Sequence, residues 1–257
     1  MTDHVLVEKS DKVLTLTLNR PEKKNALTVA MYRQLAAQLA QADQDPEVRC
    51  ILIQAHGDMF TAGNDLADFA TFNGAADSSA ERLSNPFIEA LGSLGTPLVA
   101  AVNGRAVGIG VTLLLHCDMV FVAENTVLVA PFVNLALVPE AASSLLMPLR
   151  IGHARAFEMF VLGEPVSAAQ AVSWGIANHA VPLADVQSRA RSAAVAIAAR
   201  APAAVLTTKA LMRDQVQMAA RIAEEGVHFG RQLKSAEFKE AFAAFAERRP
   251  PDFGKFT

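Results

Sequence analysis

Little in this sequence invites covalent or metal cross-linking. Only two of its 257 residues are cysteine, Cys50 and Cys117, and both stand in apolar surroundings outside any metal-ligand spacing. A disulfide framework and a thiolate metal centre are thereby excluded, and buried thiols in a reducing compartment are expected. No His/Cys/Asp cluster suggests a metal. A basic arm or Lys/Arg run is missing as well. With a net charge of −3 and a pI near 6.1, this argues against nucleic acid as the main partner. The opening "MTDHVLVEKSDK" lacks the apolar run of a signal peptide, and no stretch reads as a bilayer span. The closing "FGKFT" is not a peroxisomal address. Low-complexity segments and short repeats are absent too, so a soluble, cytoplasmic protein is expected.

What is present suits one large domain, or one domain with an appendage: apolar residues make up 52% of the chain and charged residues 19%. "KVLTLTLNR" (12–20) alternates with period two and predicts a half-buried strand. Thr28 can cap a helix whose Met31, Leu35, Leu39 and Ala42 share one face, and Asp45-Pro46 ends it. "CILIQA" (50–55) reads as a buried strand. The order then repeats with a helix near 86–94, "PLVAAV" (97–102), the Asn103-Gly104 turn, an apolar helix over 110–116 and "DMVFVA" (118–123). This alternation predicts an α/β architecture and fits either a stacked ββα arrangement or a doubly wound sheet. From about residue 185 the pattern is helical only: an Ala-rich, Arg-studded stretch, then helices near 204–230 and 235–248. Such a tail is expected to pack on the body or on a neighbouring subunit.

Two glycine-containing turns stand out, "FTAGNDLADF" (60–69) and "NGRAVGIGVTLLLHCD" (103–118). Each can be a mere packing turn. Each can also present free backbone N–H groups at a helix start, and two such groups converging would polarise an oxygen. Gly108-Ile109-Gly110 is no dinucleotide fingerprint, because position 113 is leucine. Between Asn125 and Leu149 a single charged residue occurs, Glu140 in "LVPEAASS". Pro139-Glu140 reads as a helix start, with the acid facing the positive end of the macrodipole. The alternative is a general base in a dry pocket that raises its proton affinity. His116, in an apolar helix, reads as a core histidine rather than a base. Lys23 and Lys24 suit either solvated surface or phosphate contacts.

The segments "NRPEKKNAL", "FTAGNDL", "PLVAAVNGRAVGIG", "LLHCDMVFVAE", "LGEPVSAAQAVSWGIANHAVP" and "EAFAAFAERRPPDF" together resemble the enoyl-CoA hydratase/isomerase (crotonase) superfamily, almost end to end. The resemblance implies a spiral of ββα units over residues 1–195 and a C-terminal helical oligomerisation region over 196–257. It further implies a homotrimer or a dimer of trimers. An acyl-CoA thioester is implied as substrate, with no separate cofactor and no metal. By position, the thioester carbonyl would meet the N–H of Asn64, after Ala62-Gly63, and that of Ile109, after Gly108. Ala62, Asp65 and Leu66 would line the coenzyme A arm, with Ala26 and Leu27 nearby.

The departures from the family pattern carry as much as the matches. Hydratases of this superfamily place catalytic glutamates at positions that here hold Thr112 and Phe132. "VNLALVPEAASS" and "AGNDL" instead resemble the Δ3,Δ2-enoyl-CoA isomerase branch, in which the glutamate corresponding to Glu140 is the single base. No aspartate occurs between Asp118 and Asp185, so no carboxylate nucleophile of the dehalogenase type is available there. The expectation is an isomerase in which Glu140 moves the proton while the N–H groups of Asn64 and Ile109 hold the dienolate. An apolar lining from Phe132, Leu137 and Val138 would raise the proton affinity of Glu140. The rivals are a hydratase or other crotonase-type reaction on an unusual acyl-CoA, and a non-catalytic acyl-CoA-binding or scaffold protein.

Overall fold

The computed structural model describes residues 3–65, 68 and 85–256. Its frame is laid down by β1 (Val5–Ser10), β2 (Val13–Leu18), β3 (Cys50–Ala55), β4 (Leu98–Val102), β5 (Arg105–Val107), β6 (Met119–Ala123), β7 (Val127–Val129), β8 (Val166–Ser167) and β9 (His179–Val181). β1 and β2 form an antiparallel hairpin through Asp11 and Lys12, both left-handed at φ 52° and 61°, the backbone that a two-residue turn needs to match strand twist. The main sheet has the order β1-β2-β3-β4-β6-β9 and is parallel from β2 onward. A small second sheet, β5-β7-β8, stands beside it.

The helices are α1 (Val29–Gln44), α2 (Pro86–Ser93), α3 (Ile109–Thr112), α4 (Ser143–Ile151), α5 (His153–Phe157), α6 (Ala168–Trp174), α7 (Val186–Ala198), α8 (Pro202–Leu211), α9 (Gln215–Leu233) and α10 (Ala236–Glu247). Parallel neighbours need crossovers, and the helices supply them and cover both sheet faces. All six residues of β2 are buried for this reason. Leu14, Leu16 and Leu18 enter the larger core with Leu35 and Leu39 of α1, while Val13 enters a smaller core under α7. There Ala190, Ala194 and Ala198 recur every fourth residue, and their small side chains let α7 lie close on the sheet. Arg191 of the same helix anchors it by donating to Thr15 Oγ1 at 3.1 Å and to Asp11 at 2.8 Å.

The α/β expectation holds, and several elements fall where the pattern put them. Thr28 caps α1 by accepting from the Met31 N–H, and Met31, Leu35, Leu39 and Ala42 are its buried face. The expected helix over 110–116 is one α-helical turn, α3, that tightens into a 3₁₀ turn over Leu113–His116. The single helix expected over 204–230 is two, because the chain breaks after α8 and Asp214 starts α9 by accepting from the Gln217 N–H at 2.9 Å. The expected boundary between 195 and 196 lies inside α7, and Met218, Ile222, Phe229, Leu233, Phe238 and Ala241 join the same core as the central strands. Among the described residues no single helix is long and apolar enough to cross a membrane.

Candidate active site

Backbone pairing aims two N–H groups. Leu27 forms an isolated parallel bridge with Asn64, donating to the Gly63 carbonyl at 2.8 Å and accepting from the Asp65 N–H at 2.9 Å. In that pattern one residue bonds both neighbours of its partner, so the N–H of Asn64 faces the other side. Gly63 makes the approach possible: its φ is +89°, and a Cβ there would lie 3.0 Å from the Val107 carbonyl oxygen. The second turn bends from β5 into α3 at Gly108, with φ 56° and ψ −116°. Ile109 is then the first residue of α3, where a helix N–H has no partner of its own. Among the described residues neither the Asn64 nor the Ile109 N–H donates to any protein group. A Cβ on Gly108 would meet nothing within 4 Å, so it is the positive φ and not close packing that calls for glycine there.

A cavity of about 270 Å³ reaches Asn64 from α1, α2 and α9. Its apolar wall includes Leu27, Val29, Ile88, Ile222, Phe229 and Leu233. Glu140 opens onto it. The helix that Pro139-Glu140 was expected to start begins only at Ser143, after two left-handed alanines, Ala141 (φ 61°) and Ala142 (φ 54°). Each such residue costs roughly 1–2 kcal/mol of backbone strain. Glu140 therefore stands before a strained turn and not in a helix's first turn.

Its carboxylate is enclosed. Oε1 accepts from the Thr112 hydroxyl at 2.5 Å, while Oε2 is buried with no partner among the described residues. Burial pushes the Glu140 pKa up to about 8, the Thr112 bond opposes the rise, and the nearby charge of Glu225 adds to it. Tyr32 lines the same space and donates its hydroxyl to Asn64 Oδ1 at 2.6 Å. Burial, and then the charge of Glu140, holds that phenol well above its ordinary range. A carboxyl of raised proton affinity, at the wall of a largely apolar cavity that also reaches Asn64, is equipped to exchange a proton with a molecule bound there.

The family model for enoyl-CoA hydratase/isomerase matches residues 8–255. The chain belongs to this family. It is similar to the 1,2-epoxyphenylacetyl-CoA isomerase of Escherichia coli, at 35% identity over 98% of this chain and 99% of that one. A probable enoyl-CoA hydratase of Rhodobacter capsulatus is similar at 33% identity over 96% of each chain. Among solved structures, an enoyl-CoA hydratase/isomerase from Pseudoalteromonas atlantica superposes with a TM-score of 0.90 at 41% identity, over 98% of this chain and 100% of that one. An acyl-CoA substrate is consistent with the family, as is the mixed α/β fold.

Within this enoyl-CoA hydratase/isomerase fold, the expected site residues divide. Leu27, Asn64, Asp65 and Glu140 line the cavity. Ala26, Ala62, Gly63, Gly108 and Ile109 belong to the neighbouring backbone turns: Ala62 donates to the Lys24 carbonyl at 2.9 Å, and Ala26 accepts from Arg20, which also pairs with Asp65. Leu66 lies outside the described residues. Phe132 and Leu137 do not line the cavity as expected; both are buried, and Phe132 meets Phe160 edge-on at 5.9 Å. Glu140 shares the cavity instead with residues of α1, α2 and α9. Lys24 pairs with Asp58 at the surface.

Sequence reading missed Tyr32 and Glu225. Glu225 is buried on α9 and accepts from the Ala142 N–H at 2.6 Å and the Ser144 N–H at 2.9 Å. The signal available was a lone acid on the apolar face of α9, in step with Met218, Ile222 and Phe229. His116 is a core histidine, as read: it is fully buried, and its pKa is pulled down to about 4 chiefly by burial.

Proposed function

We propose that the protein is a Δ3,Δ2-enoyl-CoA isomerase that works through one carboxylate. The observation that carries this reading is the unpartnered Oε2 of Glu140, buried at the wall of an apolar cavity that also reaches Asn64. Ionised Glu140 takes a proton from C2 of a 3-enoyl thioester. The electrons pass through C1 to the thioester oxygen, and the resulting dienolate is held by the N–H groups of Asn64 and Ile109. Glu140 then returns the proton to C4, so the double bond shifts from C3–C4 to C2–C3 and no atom is gained or lost. The E. coli relative is named as an isomerase of a coenzyme A thioester, which supports an isomerisation on such a thioester, although its named substrate is an epoxide and not a 3-enoyl group.

The rival hydratase chemistry needs two carboxylates around one water. Thr112 and Phe132 occupy the positions where the family's hydratases carry them, and Thr112 spends its hydroxyl on Glu140. Glu225 does stand near Glu140, yet both of its oxygens already accept backbone N–H groups. Incubation with trans-3-hexenoyl-CoA should give the 2-enoyl product, while crotonyl-CoA should be hydrated only weakly. Fast hydration of crotonyl-CoA without isomerisation would select the hydratase, and inertness towards both would select an acyl-CoA-binding protein. We further assign self-association into trimers, or pairs of trimers, to the corner between α8 and α9, where Leu211, Met212 and Val216 are 84%, 79% and 82% exposed.

A further inference from the structure

The turn that carries Glu140 is held by two groups that no step of the proton transfer uses. His116 lies at the end of the 3₁₀ turn after α3, and its Nε2 is 2.7 Å from the Ala141 carbonyl oxygen. A carbonyl only accepts, so Nε2 carries the hydrogen and Nδ1, buried and unpartnered, is the bare nitrogen. The ring is therefore neutral and fixed in one tautomer. From α9, the Glu225 carboxylate accepts the N–H groups of Ala142 and Ser144 at 2.6 and 2.9 Å. Neither N–H has a partner within its own helix, since α4 begins at Ser143 and Ala142 offers no capping side chain. Two consecutive alanines stay left-handed only where their surroundings over-determine them, and here both neighbouring elements contribute a bond.

We infer that His116 and Glu225 are positioning residues: together they clamp the Ala141–Ala142 turn so that the Glu140 carboxylate is held at the cavity wall with Oε2 unpartnered. The inference rests on Glu140 being the base. Its chemistry predicts two separable signatures. His116 acts only through geometry. Glu225 acts through geometry and also through charge, because its negative charge opposes ionisation of Glu140. Among the described residues, the other ionisable groups around these side chains are Tyr32, Arg33, Asp65 and Asp68 at the cavity, Arg221 beside Glu225, and Arg150, Lys209 and Arg213 near His116.

The test compares His116→Phe, His116→Gln, Glu225→Gln and Glu140→Gln in the full-length protein. The readouts are kcat and KM on trans-3-hexenoyl-CoA from pH 6 to 9.5, the Kd for a saturated acyl-CoA, and thermal unfolding. His116→Phe should lower kcat by about 10- to 100-fold, the loss expected for a misplaced catalytic group, with the Kd little changed. His116→Gln, which keeps a donor near Nε2, should restore most of that rate. Glu225→Gln should lower kcat comparably and move the rising limb of kcat/KM to lower pH. Should His116→Phe fail to fold, His116→Gln and Glu225→Gln carry the comparison. Wild-type kcat and pH profile in Glu225→Gln, beside an inactive Glu140→Gln, would overturn the clamp and leave the base in place. So would losses that His116→Gln fails to rescue. An active Glu140→Gln would overturn the base, and the clamp with it.

Discussion

Replacing Glu140 with glutamine should stabilise the protein in alkali and not in acid. The folded pKa of about 8 exceeds the ordinary 4.5, so the fold binds this proton more tightly than the unfolded chain does. The associated stability is complete below about pH 4.5 and is lost progressively as pH rises to 8. At roughly 1.36 kcal/mol per unit, the full loss is at most about 5 kcal/mol, and relaxation of the protein around the charge reduces it. Glutamine escapes that loss. It keeps an oxygen for Thr112 but puts an amide where Oε2 has no partner, which costs about 1–3 kcal/mol. The net expectation at pH 9 is a variant more stable than wild type by about 1–3 kcal/mol, and at pH 5 a variant equal to it or weaker. Glu225, raised to about 7 chiefly by burial, titrates in both proteins and largely cancels in the difference. Urea unfolding at pH 5, 7 and 9, at one protein concentration because an oligomer's midpoint depends on it, measures the gap. A stability difference that stays constant across that range would refute the buried-carboxylate argument. The same variant should lose about 10²–10⁴ in isomerisation rate, the span for a missing general base.

The remaining tests address the oxyanion donors, the pKa of the base and the exposed corner. Ile109→Pro removes one donor and should cost about 10²–10³ in turnover, whereas Asn64→Ala keeps its N–H and should be milder; circular dichroism first establishes that the proline variant folds. Asn64→Ala as damaging as Ile109→Pro would transfer the role to the side chain that Tyr32 holds. Thr112→Val removes the bond that lowers the Glu140 pKa, so the rising limb of kcat/KM should move to higher pH; an unmoved limb would mean that another group titrates. Met212→Glu places a charge on the exposed α8–α9 corner and, if the proposed trimer forms there, should lower the mass seen by light scattering without unfolding the subunit; an oligomer of unchanged mass would place the interface elsewhere, and a monomeric wild type would refute the assignment.

The parts of the fold that announced themselves did so through periodicity and caps. The alternation in β2, the four apolar positions of α1 and its Thr28 cap, and the run Cys50–Ala55 depend on nearest neighbours, and they appear where the pattern put them. β5, β7 and β8 have two or three residues each, too short for any period to register, and β1 carries mostly exposed residues. The two turns at Gly63 and Gly108 were legible because glycine tolerates their positive φ. The helix start suggested by Pro139-Glu140 was not what forms, because long-range bonds from His116 and Glu225 hold Ala141 and Ala142 left-handed against their local preference. The cavity wall was misassigned for the same reason: Phe132 and Leu137 are close to Glu140 along the chain, but the wall is built by α1, α2 and α9.

The bond between Ala142 and Glu225 spans 83 residues of chain, and a ribosome makes the chain from one end. At about 5–20 residues per second, the turn bearing Glu140 emerges roughly 4–17 s before the carboxylate that grips it. During that interval the nascent chain already holds both glycine turns, yet it lacks α9, which supplies Ile222, Glu225, Phe229 and Leu233 to the cavity wall. Arrest of translation, or a protease cut in the 212–214 connection before α9 docks, leaves the Ala141–Ala142 turn without the carboxylate that grips it. The turn that bears Glu140 is thus finished only by a helix made after it.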